Sequence, residues 1–279
     1  MILGKHVSIA GGIAESPARA AAIDCNTMQI FVGNPRGWKN KDLPAAEIKE
    51  FKQKRNKYNI NPVVVHAAYL INLASPKQEL WEKSISALKS EYKRCDRLGA
   101  EYLVFHPGSH TGSGFKAGIN RISQALNDIL AEVESDTMIL LENTAGAGTT
   151  IGAKFSQLGQ IIDKLDQPEK IGVCLDSCHA FAAEYNLTKK SEFEHLLDDF
   201  KTEIGLDKLK VIHLNDSKHD SGSKKDEHAH PGQGKLGKKA IARIINNPQL
   251  QDKVFILETP SFDDCNKDDD IILLHKLRD

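Results

Sequence analysis

Six residues of metal-ligating type each close a short apolar run in this chain. His66 follows Val63-Val64-Val65, and His106 follows Leu103-Val104-Phe105. Glu142 follows Ile139-Leu140-Leu141, and Asp176 ends Ile171–Asp176. His213 follows Val211-Ile212, and Glu258 follows Val254-Phe255-Ile256-Leu257. His179 lies three residues beyond Asp176. Further on, Asp226 and His228 form a compact Asp-x-His pair, with His230 as the alternative imidazole in that loop. The spacing to Asp226 favours His228. Carboxylates gathered without compensation repel one another and cost stability, so a set like this calls for cations. Imidazole and carboxylate donors without thiolate suit zinc, with manganese compatible with one position. Nine candidates exceed the four ligands that one zinc takes. Three ions sharing a carboxylate fit the count.

The elements that must present these groups are legible as a repeat of strand, loop and helix. The strand candidates are His6–Ala10, Thr27–Val32, Pro62–His66, Tyr102–His106, Met138–Asn143, Ile171–Asp176, Leu209–Leu214 and Val254–Glu258. Several are nearly continuous apolar runs, as expected of strands covered on both faces. Between them lie amphipathic patterns. Leu80, Trp81, Ser84, Ile85, Leu88, Tyr92, Cys95 and Leu98 recur at steps of three and four. Ser75, Pro76 and Gln78 read as the capped start of that helix, and Gly99 as its stop. Ile119, Ile122, Leu126, Ile129, Leu130 and Val133 form a second such face. Others are expected near Pro17–Asp24, Ala45–Tyr58, Lys154–Leu165, Glu192–Ile204, Lys238–Ile245 and Asp268–Leu277. Eight strands alternating with eight helices predict an α/β fold, a TIM (β/α)8 barrel of parallel strands, as a single domain over residues 1–279. An open doubly wound sheet is the competing arrangement, but no GxGxxG follows the first strand. In a barrel the carboxyl ends of all strands meet at one rim, which gathers the six strand-end residues. The polar loop of about 20 residues after the seventh strand, carrying Asp226 and His228, reaches the same mouth.

Composition narrows the class. The chain has 279 residues, 40% hydrophobic and 27% charged, with a net charge of −1. Disorder is excluded, and no apolar run approaches the ~18 residues of a spanning helix. Binding nucleic acid by basic surface alone would call for a more positive chain, but DNA is not excluded, because bound cations can supply positive charge. The five cysteines Cys25, Cys95, Cys174, Cys178 and Cys265 make an odd count with no CxxC, so reduced thiols and a cytoplasmic location are expected. Among the remaining histidines, His195 and His275 read as surface residues and His110 and His219 as solvated. His6, at the end of the first strand, reads as a hydrogen-bond partner of the ligands. Two rim loops carry Arg36-Gly37-Trp38 and Tyr69-Leu70. Such side chains wedge into a minor groove or replace an extruded nucleotide. In the plainer reading, Trp38 and Leu70 pack against loop neighbours.

Taken together, the chain resembles the endonuclease IV family of apurinic/apyrimidinic endonucleases. The matching blocks are His6-Val7-Ser8-Ile9-Ala10-Gly11-Gly12, Tyr69-Leu70-Ile71-Asn72-Leu73, Phe105-His106-Pro107-Gly108-Ser109-His110 and Leu141-Glu142-Asn143-Thr144-Ala145-Gly146. They continue with Gly172 to Ala182 (GVCLDSCHAFA), His213-Leu214-Asn215-Asp216-Ser217-Lys218 and Leu257-Glu258-Thr259-Pro260. The resemblance implies three Zn2+ ions. His66, His106 and Glu142 would hold one. Glu142, Asp176, His213 and Glu258 would hold the second, with Glu142 bridging. His179, Asp226 and His228 would hold the third. It implies Glu142, Glu258 and Asp176 as catalytic carboxylates and Arg36, Tyr69 and Leu70 as DNA contacts. The implied reaction is hydrolysis of the phosphodiester 5′ of an abasic site in duplex DNA, leaving a 3′-hydroxyl and a 5′-deoxyribose phosphate, with 3′-end cleaning by a monomer. Glu227 stands where the family often has a basic residue, and Gln233 where it often has Glu. The rival reading is a xylose-isomerase-like sugar isomerase or epimerase. It would need neither the third donor set nor the rim wedges.

Overall fold

The computed structural model describes residues 1–38, 42–260 and 268–278; Lys39 and Cys265 lie outside them. Eight parallel strands close into a barrel. They are β1 (Ile2–His6), β2 (Thr27–Ile30), β3 (Val63–His66), β4 (Tyr102–Phe105), β5 (Met138–Glu142), β6 (Ile171–Asp176), β7 (Leu209–His213) and β10 (Val254–Leu257). Between the last two, β8 (Asp216–Ser217) and β9 (His228–Ala229) pair antiparallel as a separate small ladder. The helices are α1 (Ser16–Ala22), α2 (Ala45–Lys57), α3 (Gln78–Leu98), α4 (Phe115–Glu132), α5 (Phe155–Ile162), α6 (Ser177–Ala183), α7 (Lys190–Glu203), α8 (Gly237–Ile245) and α9 (Asp269–Leu277). The barrel expected from the sequence is the one observed.

Side chains alternate across each strand, and that alternation separates two cores. Val64, Val104, Leu140, Cys174, Val211, Val254 and Ile256 fill the barrel interior. Their neighbours, among them Val63, Val65, Leu103, Ile139, Leu141, Val173 and Ile212, pack outward under the helices. Val63-Val64-Val65 is therefore buried on both faces, which is why it reads as a continuous apolar run. Two residues beyond each inward apolar residue, the next inward position lies at the carboxyl end. His66 stands two beyond Val64, His106 beyond Val104, Glu142 beyond Leu140, Asp176 beyond Cys174, His213 beyond Val211 and Glu258 beyond Ile256. The strand pleat therefore aims all six into one mouth.

Four expectations need correction. The first strand is Ile2–His6, not His6–Ala10; Ile2 to Lys5 pair with Val254 to Leu257, and the residues after His6 form rim loop. The apolar content of the two stretches is similar, and only pairing with β10 and β2 decides between them. Helix α3 starts at Gln78, with Lys77 at its cap position and no side-chain cap. Ser75 Oγ instead accepts the Lys77 N–H at 3.2 Å in the preceding turn. Gly99 does end that helix, at φ 71°, where glycine carries no Cβ penalty. An unexpected helix, α6, the ninth among the described residues, springs directly from β6 with the Asp176 carboxylate as its N-cap, accepting from His179 N at 2.6 Å. Its seven residues are too short to show helical periodicity. Finally, His110 is buried, not solvated; its Nδ1 accepts Gly114 N–H at 3.0 Å, and its ring meets Phe115 edge-on.

Candidate metal centre

A cavity of about 760 Å³ at the carboxyl ends of the strands is lined by His66, His106, His179, Asp226, His228 and Glu258, and Glu142, Asp176 and His213 lie fully buried against them. Glu142 is fully buried. Its Oε2 lies 3.3 Å from His66 Nε2 and 3.0 Å from His106 Nε2, while its Oε1 lies 3.0 Å from His213 Nδ1. Glu258 Oε2 approaches the same His213 nitrogen at 3.2 Å. On the far side, Asp226 Oδ1 sits 3.0 Å from His179 Nε2 and 3.2 Å from His228 Nε2. Besides a cysteine-containing group of Asp176, Cys178 and His228, three groups of nitrogen and oxygen donors result among the described residues, each with its ligand atoms within 4.8 Å of one another. They are His66, His106 and Glu142; Glu142, Asp176, His213 and Glu258; and His179, Asp226 and His228. His230 is not in them; its Nδ1 meets Asp270 Oδ2 at 2.8 Å instead.

Hydrogen-bond logic fixes what these nitrogens offer. A carboxylate only accepts, so the Gln29 amide must turn its NH2 toward Glu258 Oε1, 2.7 Å away. Its carbonyl oxygen then faces His213 Nε2 at 2.8 Å and accepts that N–H. His213 Nδ1 is left as a lone pair pointed at Glu142 and Glu258. The same reasoning holds for His66, whose Nδ1 donates to the Ala67 carbonyl at 2.7 Å, and for His179, whose Nδ1 donates to the Asn143 carbonyl at 2.9 Å. Both turn an Nε2 lone pair toward carboxylate oxygen. Among the described residues, His179 Nε2 and His228 Nε2 are buried without a hydrogen-bond partner. Acceptor facing acceptor in a buried site is repulsive unless a cation stands between them. The donor set therefore fits divalent metal ions of the borderline kind.

Without such ions, protons must do the balancing. Burial opposes charge on His66, His179 and His213, but the surrounding carboxylates outweigh it, joined at His213 by Cys174, and hold all three above their ordinary value. Burial opposes the His228 cation too, yet Asp226 and Asp176 lift it to about 9. Glu142 is buried as well, but the His106 and His213 charges hold it well below the usual carboxylate range. Protons and metal ions thus compete for the same nitrogens. His6 behaves differently. Burial lowers it to about 4, and as a neutral ring its Nδ1 accepts from the Gln29 amide at 3.1 Å.

Gln29, Asn143, Asn215 and Asp216 escaped the sequence reading. Asn143 bridges the ends of β5 and β6, accepting Asp176 N–H at 2.6 Å and donating to Asp176 O at 3.1 Å. Asn215 donates to Asp176 Oδ2 at 2.6 Å and accepts Glu258 N–H at 2.9 Å. Inward parity identifies Gln29, since it stands two beyond Thr27 in a fully buried strand. Replacing Gln29 by Leu is expected to weaken metal binding at the Glu142–Asp176–His213–Glu258 set about 10–100-fold, the usual effect of removing a partner that orients a ligand. Competitive titration with a chromophoric chelator measures it; unchanged affinity would remove Gln29 from this role.

The rim side chains also take defined places. Tyr69 is 61% exposed and stands at the cavity mouth, its ring centroid 5.5 Å from that of His66 and 5.6 Å from that of Phe31. Leu70 is half-buried beside it and Arg36 is exposed. Asn72 ties this loop to the one after β4, its Oδ1 accepting Ser109 N–H at 2.9 Å. A Cβ at Gly108 would fall 2.3 Å from that oxygen, so the contact requires glycine there. Trp38 is 39% exposed, beside a cavity lined by Glu82, Lys83 and Ser86 of α3. His195 and His275 are exposed, as expected. His219 lies 3.2 Å from Glu227 Oε1, so the departure at Glu227 is taken up locally.

Residues 17–274 match the family model of the xylose isomerase-like TIM barrel. Over 278 residues the chain is 56% identical to the probable endonuclease 4 of Halothermothrix orenii, covering 100% of this chain and 99% of the relative.

The chain belongs to the endonuclease IV family.

The crystal structure of endonuclease IV from Thermus thermophilus superposes with a TM-score of 0.89 at 36% identity, covering 99% of this chain and 98% of that one. A D-tagatose 3-epimerase-like protein also superposes, with a TM-score of 0.72 over 99% of this chain and 95% of that one, but at 19% identity. That likeness reflects the shared barrel alone. For this endonuclease IV-family chain, the epimerase-like barrel is therefore a fold relative. No helix among the described residues is long and apolar enough to cross a membrane.

Proposed function

We propose that the chain is a zinc-dependent DNA-repair endonuclease, a deoxyribonuclease IV. It hydrolyses the phosphodiester 5′ of an apurinic/apyrimidinic site, leaving a 3′-hydroxyl and a 5′-deoxyribose phosphate, and clears blocked 3′ ends. It works as a cytoplasmic monomer on double-stranded DNA. Three Zn2+ ions per chain, with Mn2+ compatible with one position, are assigned to the three donor groups. The observation that carries this reading is that fully buried Glu142 belongs to two of those groups at once, with Asp226 and His228 closing the third across the same cavity.

Divalent cations bound there supply Lewis-acid polarisation of a phosphate and a more acidic water at neutral pH. The chain's own residues do the rest. Glu142, Asp176 and Glu258 concentrate negative charge at the barrel end and fix where positive charge can sit, and to them we assign catalysis. The hydrogen bonds of Gln29, Ala67 and Asn143 hold the imidazoles in one tautomer, so no reorganisation is needed when substrate arrives. Tyr69 lines the cavity, with Leu70 next to it and Arg36 next to the lining Pro35, and to these three we assign contact with the duplex. A duplex lacking one base has lost part of its stacking and is cheaper to kink and open, which supports selection by deformability.

Incision of a duplex carrying one abasic site, with and without chelator, tests the reading together with elemental analysis of the purified protein. The expected result is cleavage 5′ of the lesion that chelator abolishes, with about three zinc equivalents per chain. Full incision by metal-free protein would overturn it. Replacing Arg36 by Ala is expected to weaken binding to abasic duplex by roughly 1–3 kcal/mol while leaving metal content intact. Equal affinities in a fluorescence-anisotropy titration would contradict the Arg36 contact.

A further inference from the structure

Cys178 sits at the third donor group without belonging to it. It lies on α6 between Asp176 and His179, fully buried, and its Sγ donates a weak hydrogen bond to Glu227 O at 3.7 Å. Its sulfur, an Asp176 oxygen and a His228 nitrogen all lie within 4.8 Å of one another. His228 Nε2 is 3.7 Å from Asp176 Oδ2 and has no hydrogen-bond partner, and the neighbouring His179, 2% exposed, also leaves its Nε2 unpartnered. His228 Nε2, which accepts no hydrogen bond among the described residues, therefore faces two alternative sets of donors. One is the nitrogen and oxygen set of His179 and Asp226. The other adds sulfur.

We propose that Cys178, His228 and Asp176 form a further, thiolate-containing site for soft divalent cations, exclusive of the His179–Asp226–His228 set because both need His228, and sharing the Asp176 carboxylate with the Glu142–Asp176–His213–Glu258 set. The inference rests on the metal-dependent reading above. Hard and borderline cations are satisfied by imidazole and carboxylate, whereas thiophilic ones such as Cd2+ gain most from sulfur. On binding, the S–H bond gives its proton to solvent and an S–Cd bond forms, with no change of oxidation state. His228 is thereby drawn away from Asp226, and the third group loses one of its donors. The other described cysteines, Cys25, Cys95 and Cys174, are buried outside every candidate donor group among the described residues.

Cadmium chloride titrated into the zinc-loaded, full-length protein tests the proposal. The expected result is uptake of about one Cd2+ per chain with a thiolate-to-cadmium charge-transfer band in the ultraviolet, and release of about one Zn2+. In Cys178→Ser the band should disappear and Cd2+ affinity should fall by more than the about 10–100-fold that loss of a mere orienting partner costs. A band of equal intensity in Cys178→Ser, or Cd2+ uptake without any band in the wild type, would overturn the proposal. The cadmium-113 resonance of the wild-type protein reports sulfur coordination independently, should the variant fail to fold; a shift typical of nitrogen and oxygen donors alone would also overturn it. Retention of zinc-dependent incision in untreated samples separates failure here from failure of the functional reading.

Discussion

A Glu142→Ala protein is expected to purify depleted of metal and to incise an abasic duplex at least about 10³-fold more slowly than wild type, because Lewis-acid stabilisation is worth several kcal/mol and each ~1.36 kcal/mol is tenfold in rate. The reasoning is geometric. Glu142 is fully buried and lies within 3.0–3.3 Å of nitrogens on His66, His106, His179 and His213. Its removal takes a shared donor from two ligand groups and leaves four imidazoles facing one another without the anion between them. Glu142→Gln keeps the volume and serves as the control for folding. It should lose metal as well, since an amide is a weak ligand and presents N–H donors to nitrogens that must also bind cation. Metal content measured beside the incision rate checks both; a Glu142→Ala protein that retained its metals and its activity would remove the bridging role.

The second large effect is expected at Asp216, a residue outside every candidate donor group among the described residues. Its carboxylate is fully buried and accepts five backbone N–H groups. Gly232, Gly234 and Gly237 donate to Oδ2 at 2.9, 3.0 and 3.1 Å, and Ser217 and Leu236 donate to Oδ1 at 2.8 Å each. The β7–α8 connection that carries Asp226 and His228 is thus wound around one anion. Hydrogen bonds to charged groups are worth about 1.5–3 kcal/mol each, and stranded buried N–H groups cost about 1–3. Partial relaxation and water entry reduce the sum, so Asp216→Ala is expected to destabilise the protein by about 4 kcal/mol or more, in the range reserved for broken buried networks. Before global unfolding, the third donor group should lose its metal while the other two keep theirs. Chemical denaturation and stepwise metal release measure the two parts. A loss under about 1 kcal/mol with full metal content would show that the connection is held by other contacts.

Much of this site was legible because two periodicities in the chain agree. A strand repeats every two residues, so Val64 and His66, Leu140 and Glu142, or Ile256 and Glu258 must face the same way. Once parallel strands close into a barrel, equal position at the carboxyl end means a shared mouth. His179, Asp226 and His228 were legible for a different reason, their ligand chemistry and close spacing in segments that had no other evident task. The misplacement of β1 and the missed α6 have a common cause. Both are short stretches with little pattern of their own, and their limits are set by partners outside them: β10 for the first, and the Asp176 cap for the second.

The chain alone determined the alternation of strands and helices, the barrel, and the types and approximate positions of the nine donor residues, because these follow from local hydrophobic pattern and donor chemistry. Which nitrogen of His66, His179 and His213 is free and the reliance of the rim loop on Asp216 were decided only by the tertiary structure. His213 shows why: the hydrogen bond that fixes its tautomer joins it to Gln29 across 184 positions. Nothing in the local chain favours that partner over another, and only barrel closure brings the two within 2.8 Å.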